Sequence, residues 1–187
     1  MLIKTKVVSF WELKLRIQAS TKSSLKYFNP YFCNLTKPHP IITTPQSNPY
    51  EVNKSVIQLR MASGRYPDDW LQRYWSDDNK LGQCRLCLEE RGDIKHYLTS
   101  CFALMDKRET LFNWWLSSSH SSSTLHKLIQ VKIQSDSETF VKFVLDASSD
   151  TDVILLVQQK LVGIGDIFQL TRTFCYAIHH ARLKLLA

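Results

Sequence analysis

Four residues of metal-ligating type fall close together, in the spacing Cys84-x2-Cys87-x8-His96-x4-Cys101. Three thiols and one imidazole are the donors that a tetrahedral Zn²⁺ takes in closed structural sites. Two cysteines three positions apart reach one ion from a tight turn, where backbone N–H groups support the sulfurs. Gly82 and Gly92 flank the first half of the pattern, where unusual φ values are needed. The stretch Leu88 to Lys95 is long enough to close a loop back onto the ion. His96 and Cys101 are five apart, about 140° around a helix. A helix carrying both must therefore bend or end near Cys101. With four protein ligands the expected cofactor is one structural zinc ion with no open position for water. No His-x-Glu, as a zinc deaminase would need, accompanies it.

Around this segment the chain reads as mainly α. Residues 4–18 have Val7, Phe10, Leu13 and Ile17 at helical spacing, with Trp11 and Leu15 widening the stripe. Residues 29–50 hold Pro30, Pro38, Pro40, Pro45 and Pro49, which predicts an extended, non-helical connector whose Tyr31, Phe32, Ile41 and Ile42 pack on something. A helix is expected from about Glu51 to Ser63, with Val52, Val56 and Leu59 on one face and Gly64 as its stop. Residues 65–83 read as irregular. A helix from about Asp93 through Leu116, broken near Cys101, leads to the polar run Ser117–Ser123, expected as a loop. Residues 138–147 read as helix through Phe140, Val144 and Ala147, and 153–162 fit helix or buried strand, helix being favoured. The last segment places Ile167, Leu170, Phe174, Ile178, Ala181 and Leu185 on one face. Three stretches follow: 1–50, a basic helix and Pro-rich connector; 51–116, a helix and the zinc segment; 117–187, a Ser-rich loop and the closing helices.

Charge is distributed unevenly. Of the formal +7, all lies in residues 1–60, where nine Lys/Arg face only Glu12 and Glu51; the rest of the 187 residues carries equal numbers of each sign. Such asymmetry points to an anionic partner, RNA or DNA first, met by Lys4, Lys6, Lys14, Arg16, Lys22 and Lys26. The zinc segment itself balances Arg85, Arg91 and Lys95 against Glu89, Glu90 and Asp93, so its own charge drives no contact. No stretch approaches the roughly 20 apolar residues that span a bilayer. The N-terminus lacks the pattern of a signal peptide, and five cysteines, an odd number, suit a reducing compartment better than a disulfide framework. An intracellular location, nuclear or cytoplasmic, is expected.

Other candidates are weaker. Tyr66-Pro67-Asp68-Asp69 matches the Tyr-x-Asp-Asp string whose aspartates hold two metals in polymerases. That string needs an apolar hairpin; here Pro67 would remove a ladder hydrogen bond and residues 1–60 contain no partner Asp. A surface turn is expected instead. His179-His180 diverge on a helix and read as surface or packing residues, Cys33 and Cys175 as buried thiols, and Gly163-x-Gly165 as a hinge. Trp114-Trp115 offers stacking surface, but Trp115 with Leu111 and Phe112 reads as core. Nothing sets up a Ser–His–Asp triad around His120.

Ser24 to Pro30, Pro38-His-Pro-Ile41, Val56 to Tyr66 and the Cys-Cys-His-Cys segment together resemble the C-terminal region of reverse-transcriptase-like proteins encoded by animal non-LTR retrotransposons. The likeness continues weakly into Leu145-Asp-Ala-Ser148 and Phe174 to His179 with Arg182. The resemblance implies Cys84, Cys87, His96 and Cys101 as ligands, in a region that follows the polymerase thumb and assists template or target binding. Two departures stand out: Phe102 occupies a position where the family very often has Pro, and the fingers and palm are missing. The chain is thus expected to be a non-catalytic tail, from a truncated element, a domesticated fragment or an incomplete gene model. The alternative expectation is a vestigial or domesticated protein-interaction module, exposing apolar surface that once met the missing polymerase portion. A metalloenzyme is disfavoured by the filled coordination sphere.

Overall fold

The computed structural model describes Phe10, 13–14, Ile17, Thr21, Tyr27, 39–43, 48–69, 82–89, 91–119 and 122–187. The fold is mainly helical. In order come α1 (Pro40–Thr43), α2 (Pro49–Ala62), α3 (Ile94–Thr99), a 3-10 turn (Phe102–Leu104), α4 (Met105–Ser118), α5 (Ser123–Ile133), α6 (Ser137–Leu145), a 3-10 turn (Ala147–Ser149), α7 (Thr151–Gln158) and α8 (Ile164–Leu186). Among the described residues there is no strand; Gln83 and Arg91 form an isolated antiparallel bridge. No helix among them is long and apolar enough to cross a membrane.

The helix ends follow their capping residues. Asn48 accepts from the Glu51 N–H at 3.0 Å and Pro49 opens α2, while Gly64 stops it at φ 64 as expected. Asp93, Ser122, Asp136 and Asp150 cap α3, α5, α6 and α7 with their side chains. The long α8 lies along α2, α4 and α6. Trp115, wholly buried, sits at the centre of an aromatic cluster with Phe112, Phe140, Phe143 and Phe174, its ring 4.9 Å from that of Phe174. Its indole N–H donates to the Leu170 carbonyl at 3.3 Å, so the one polar atom it buries is satisfied.

Several expectations are corrected. The connector is not wholly extended: Pro40 starts the short α1, where its missing N–H costs nothing, and Ile41 is buried while Ile42 is exposed. Tyr31, Phe32 and Cys33 lie outside the described residues. The helix α2 is turned over: Val52 and Val56 are exposed, and Lys54, Ser55 and Gln58 face inward. The reason is a polar seam against α6 and α8. Gln58 donates to the Val144 carbonyl at 2.7 Å and to Thr171 Oγ1 at 2.9 Å, and Glu51 pairs with Lys54 at 2.8 Å and Arg172 at 3.3 Å. The run Ser117–Ser123 is only partly a loop, since Ser117 and Ser118 close α4 and Ser123 opens α5. That helix escaped the sequence reading, although Leu125, Leu128, Ile129 and Lys132 mark its inner face. Residues 153–158 are helical, and Leu185 at the end of α8 is exposed.

Candidate metal centre

The loop that presents the first two cysteines is closed at its base by the Gln83–Arg91 bridge and by the Gly92 N–H donating to the Gly82 carbonyl at 2.8 Å. Gly82 sits at φ 103, which side-chain-bearing residues rarely adopt. Gly92 is required for a different reason than an unusual φ: a Cβ there would lie 2.8 Å from Asp69 Cβ and 2.9 Å from Cys84 Cα. Within the turn, the Leu88 N–H bonds the Cys84 carbonyl at 2.8 Å, and the Leu86 and Cys87 N–H groups point at the Cys84 sulfur.

The other two ligands come from α3 and its exit. Asp93 caps the helix by accepting from the His96 N–H at 2.9 Å, which fixes His96 in the first turn. The helix ends at Thr99 and Cys101 turns to φ −54, ψ 115, the break that joint ligation demands. The chain then continues as a 3-10 turn from Phe102, and the Ala103 N–H supports the Cys101 sulfur.

These elements bring the four ligand atoms of Cys84, Cys87, His96 and Cys101 within 4.8 Å of one another. Cys84 Sγ lies 3.7 Å from Cys101 Sγ, and Cys87 Sγ lies 3.2 Å from His96 Nε2. Cys84 and Cys101 are fully buried, His96 nearly so, and Cys87 half-buried. The group can hold a metal ion. His96 Nδ1 meets Ser100 Oγ at 3.0 Å, so the ring is oriented from behind with Nε2 toward the sulfurs. Burial pushes the Cys84 thiol up, and it pushes Cys101 up to about 12 with the help of the neighbouring Cys84 and Cys87 sulfurs. Three thiolates cannot ionise side by side in so small a space unless a cation lies between them.

A further shell surrounds the ligands, and the sequence reading missed it. The expected surface turn at Tyr66–Asp69 is buried: Asp69 is 4% exposed and Tyr66 1%. Asp69 accepts from the Arg85 N–H at 2.9 Å, Arg85 Nε at 2.8 Å, Tyr97 OH at 2.7 Å and Arg182 Nη2 at 2.8 Å. Burial alone would raise its carboxyl, but the Arg85 N–H, Tyr97, Arg85 side-chain and Arg182 interactions hold it below the ordinary aspartate value. Arg85 lies between the two cysteines of the turn and Tyr97 follows His96, so one carboxylate ties both halves of the centre to α8. Tyr66 OH meets His179 Nδ1 at 2.8 Å on the same helix. Arg182 was visible as a cation among the apolar positions of α8, which is the signature of a buried partner.

The remaining candidates fall as follows. Cys175 is a buried thiol and Trp115 is core, whereas Trp114 is 37% exposed. Lys14 is exposed; Lys4, Lys6, Arg16, Lys22 and Lys26 lie outside the described residues, as does His120. His39, Asp146 and Ser148 meet, but not as a nucleophilic triad. His39 Nδ1 accepts from the Ile41 N–H at 3.2 Å, so its proton sits on Nε2, which faces Asp146 Oδ2 at 3.2 Å. The Ser148 hydroxyl donates to Asp146 rather than to a base. This set pins the connector to the end of α6.

Comparison with protein-family models, with curated proteins and with solved structures finds no match for the chain.

Proposed function

We propose that this chain is a non-catalytic, zinc-stabilised helical module of a retrotransposon reverse-transcriptase-like protein, assisting RNA or DNA binding through its basic N-terminal region. One observation carries the reading: the convergence of Cys84, Cys87, His96 and Cys101 to within 4.8 Å. Thiolate-rich donor sets favour zinc, and the Cys84–Cys101 sulfur separation of 3.7 Å fits the edge of about 3.8 Å that Zn–S bonds of 2.3 Å give a tetrahedron. Four protein donors fill the sphere, so the ion's work is to join the loop of Cys84 to α3 and the start of α4. Nucleic-acid contact is supported by the concentration of the whole +7 excess in residues 1–60 and by the sequence likeness described above.

The test is purification with metal analysis, then binding to single-stranded RNA and duplex DNA over a salt series. One zinc per chain is expected, with log affinity falling linearly against log salt. Reversing the charges of Lys4, Lys6, Lys14 and Arg16 should flatten that slope; an unchanged slope would refute the N-terminal assignment.

A protein-interaction role is the second reading, favoured by apolar residues on the surface. Phe10 and Leu13 are each 59% exposed, and Val52 and Leu183 are also exposed. Concentration-dependent self-association without RNA or DNA retention would favour it.

A further inference from the structure

The outward face of α8 forms the floor of a groove of about 580 Å³, between α4 and the first turn of α2. Two lysines, Lys107 from α4 and Lys184 from α8, line it, and among the described residues no carboxylate does. Glu51, next to the groove residue Tyr50, is already taken by Lys54 and Arg172. Three rings stand in the same groove. Tyr50 meets Tyr176 edge to face with centroids 5.1 Å apart, and His180 leans on Tyr176 at 4.2 Å. These contacts hold the rings in place, while Tyr50 and His180 remain exposed and Tyr176 half-buried.

His179, just beside the groove, is held down to about 4, first by burial and then by its neighbours His180, Arg182 and Arg60. A second cavity of about 530 Å³ adjoins the first through Thr173 and carries the exposed Trp114, seven residues beyond Lys107 on the same face of α4. Its acid, Asp166, lies at the far end.

We propose that this groove binds single-stranded nucleic acid, with Lys107 and Lys184 meeting phosphates and Tyr176, His180 and Trp114 presenting ring surfaces to bases. Cations beside exposed and half-exposed rings suit a chain of charged phosphates and flat bases. A duplex keeps its base faces stacked inside, and an acidic peptide would use the lysines but leave the rings idle. The inference rests on the nucleic-acid part of the reading above but assigns a different surface from the N-terminal region.

The test uses the full metal-loaded chain, a labelled single-stranded RNA, and anisotropy over a salt series. Lys107→Glu with Lys184→Glu should weaken binding at least tenfold and reduce the salt slope by about 1.4, the value for two phosphates on a single strand. Tyr176→Ala should weaken binding about fivefold or more while leaving the slope in place. Both variants alter surface positions, and unchanged metal content and circular dichroism verify that they fold. If the unmodified chain binds RNA and these variants bind equally well, the groove assignment is overturned while the N-terminal reading stands. Displacement of the RNA by polyglutamate at equal charge, with no effect of Tyr176→Ala, would overturn it in favour of an acidic polymer. No binding by the unmodified chain overturns both.

Discussion

Asp69 accepts a hydrogen bond from Arg182 Nη2 at 2.8 Å, joining residues 113 positions apart in the chain. Both side chains are 3% exposed, so the pair is desolvated and depends on its further donors. Tyr97 and Arg85 supply them, and through these two residues the pair braces both halves of the metal centre. The C-terminal helix and the Cys/His loop are therefore held as one unit.

Removing the carboxylate should be costly. Asp69→Ala leaves Arg182 buried without its counter-charge and should destabilise the chain by about 3–5 kcal/mol. Arg85→Ala removes only a side chain 53% exposed and should cost about 1 kcal/mol or less. Urea denaturation of the metal-loaded variants separates the two, and equal small losses would show that Asp69 braces nothing.

The inverted face of α2 gives a second comparison. Gln58 is fully buried with both hydrogen bonds to other elements, whereas Val56 is 38% exposed. Gln58→Ala takes its donor from the Val144 carbonyl and the Thr171 hydroxyl, leaving them the longer bonds to Cys175 Sγ at 3.9 Å and the Phe168 carbonyl at 3.4 Å, and should cost about 1–3 kcal/mol. Val56→Ser should stay within about 0.5 kcal/mol. The reverse order, measured by the same denaturation, would restore the apolar face that the periodicity suggests.

What could be read in advance depended on how local the signal was. The four residues that can hold a metal lie within one short stretch, so spacing alone pointed to them, and joint ligation required the break seen at Cys101. The helices α6 and α8 carry apolar residues in register, and their buried faces followed, apart from Leu185 where α8 runs out into solvent. Asp69 could not be read this way, because its meaning comes from Arg182, far along the chain. The same holds for α2: Gln58 and Glu51 look like surface residues until Thr171 and Arg172 of α8 are placed opposite them. The missed α5 is different, since its pattern was present and was masked by the preceding serines.

Acid should weaken the fold partly through His179. Its folded value, held down to about 4 by burial and nearby cations, lies below the ordinary 6.5. The unfolded chain therefore binds the proton first, and stability falls as pH drops from about 6.5 toward 4. Allowing for partial exposure, the loss at His179 should be about 1–2 kcal/mol. His179→Gln should flatten the dependence of unfolding midpoint on pH in this window. Parallel curves for the two proteins would remove His179 from the account.

Indole positions make an internal control. Trp115→Ala opens the aromatic cluster and should cost about 3–5 kcal/mol. Trp114→Ala, at a position 37% exposed, should leave the unfolding midpoint nearly unchanged.

The most direct measurement is the metal content of the purified chain, followed by circular dichroism during chelation. One zinc per chain is expected, with loss of helical signal on chelation and no stoichiometric metal in Cys84→Ser or Cys101→Ser, Cys175→Ser being unaffected. A metal-free chain with full helical signal and an unfolding midpoint insensitive to chelator would contradict a zinc-stabilised fold.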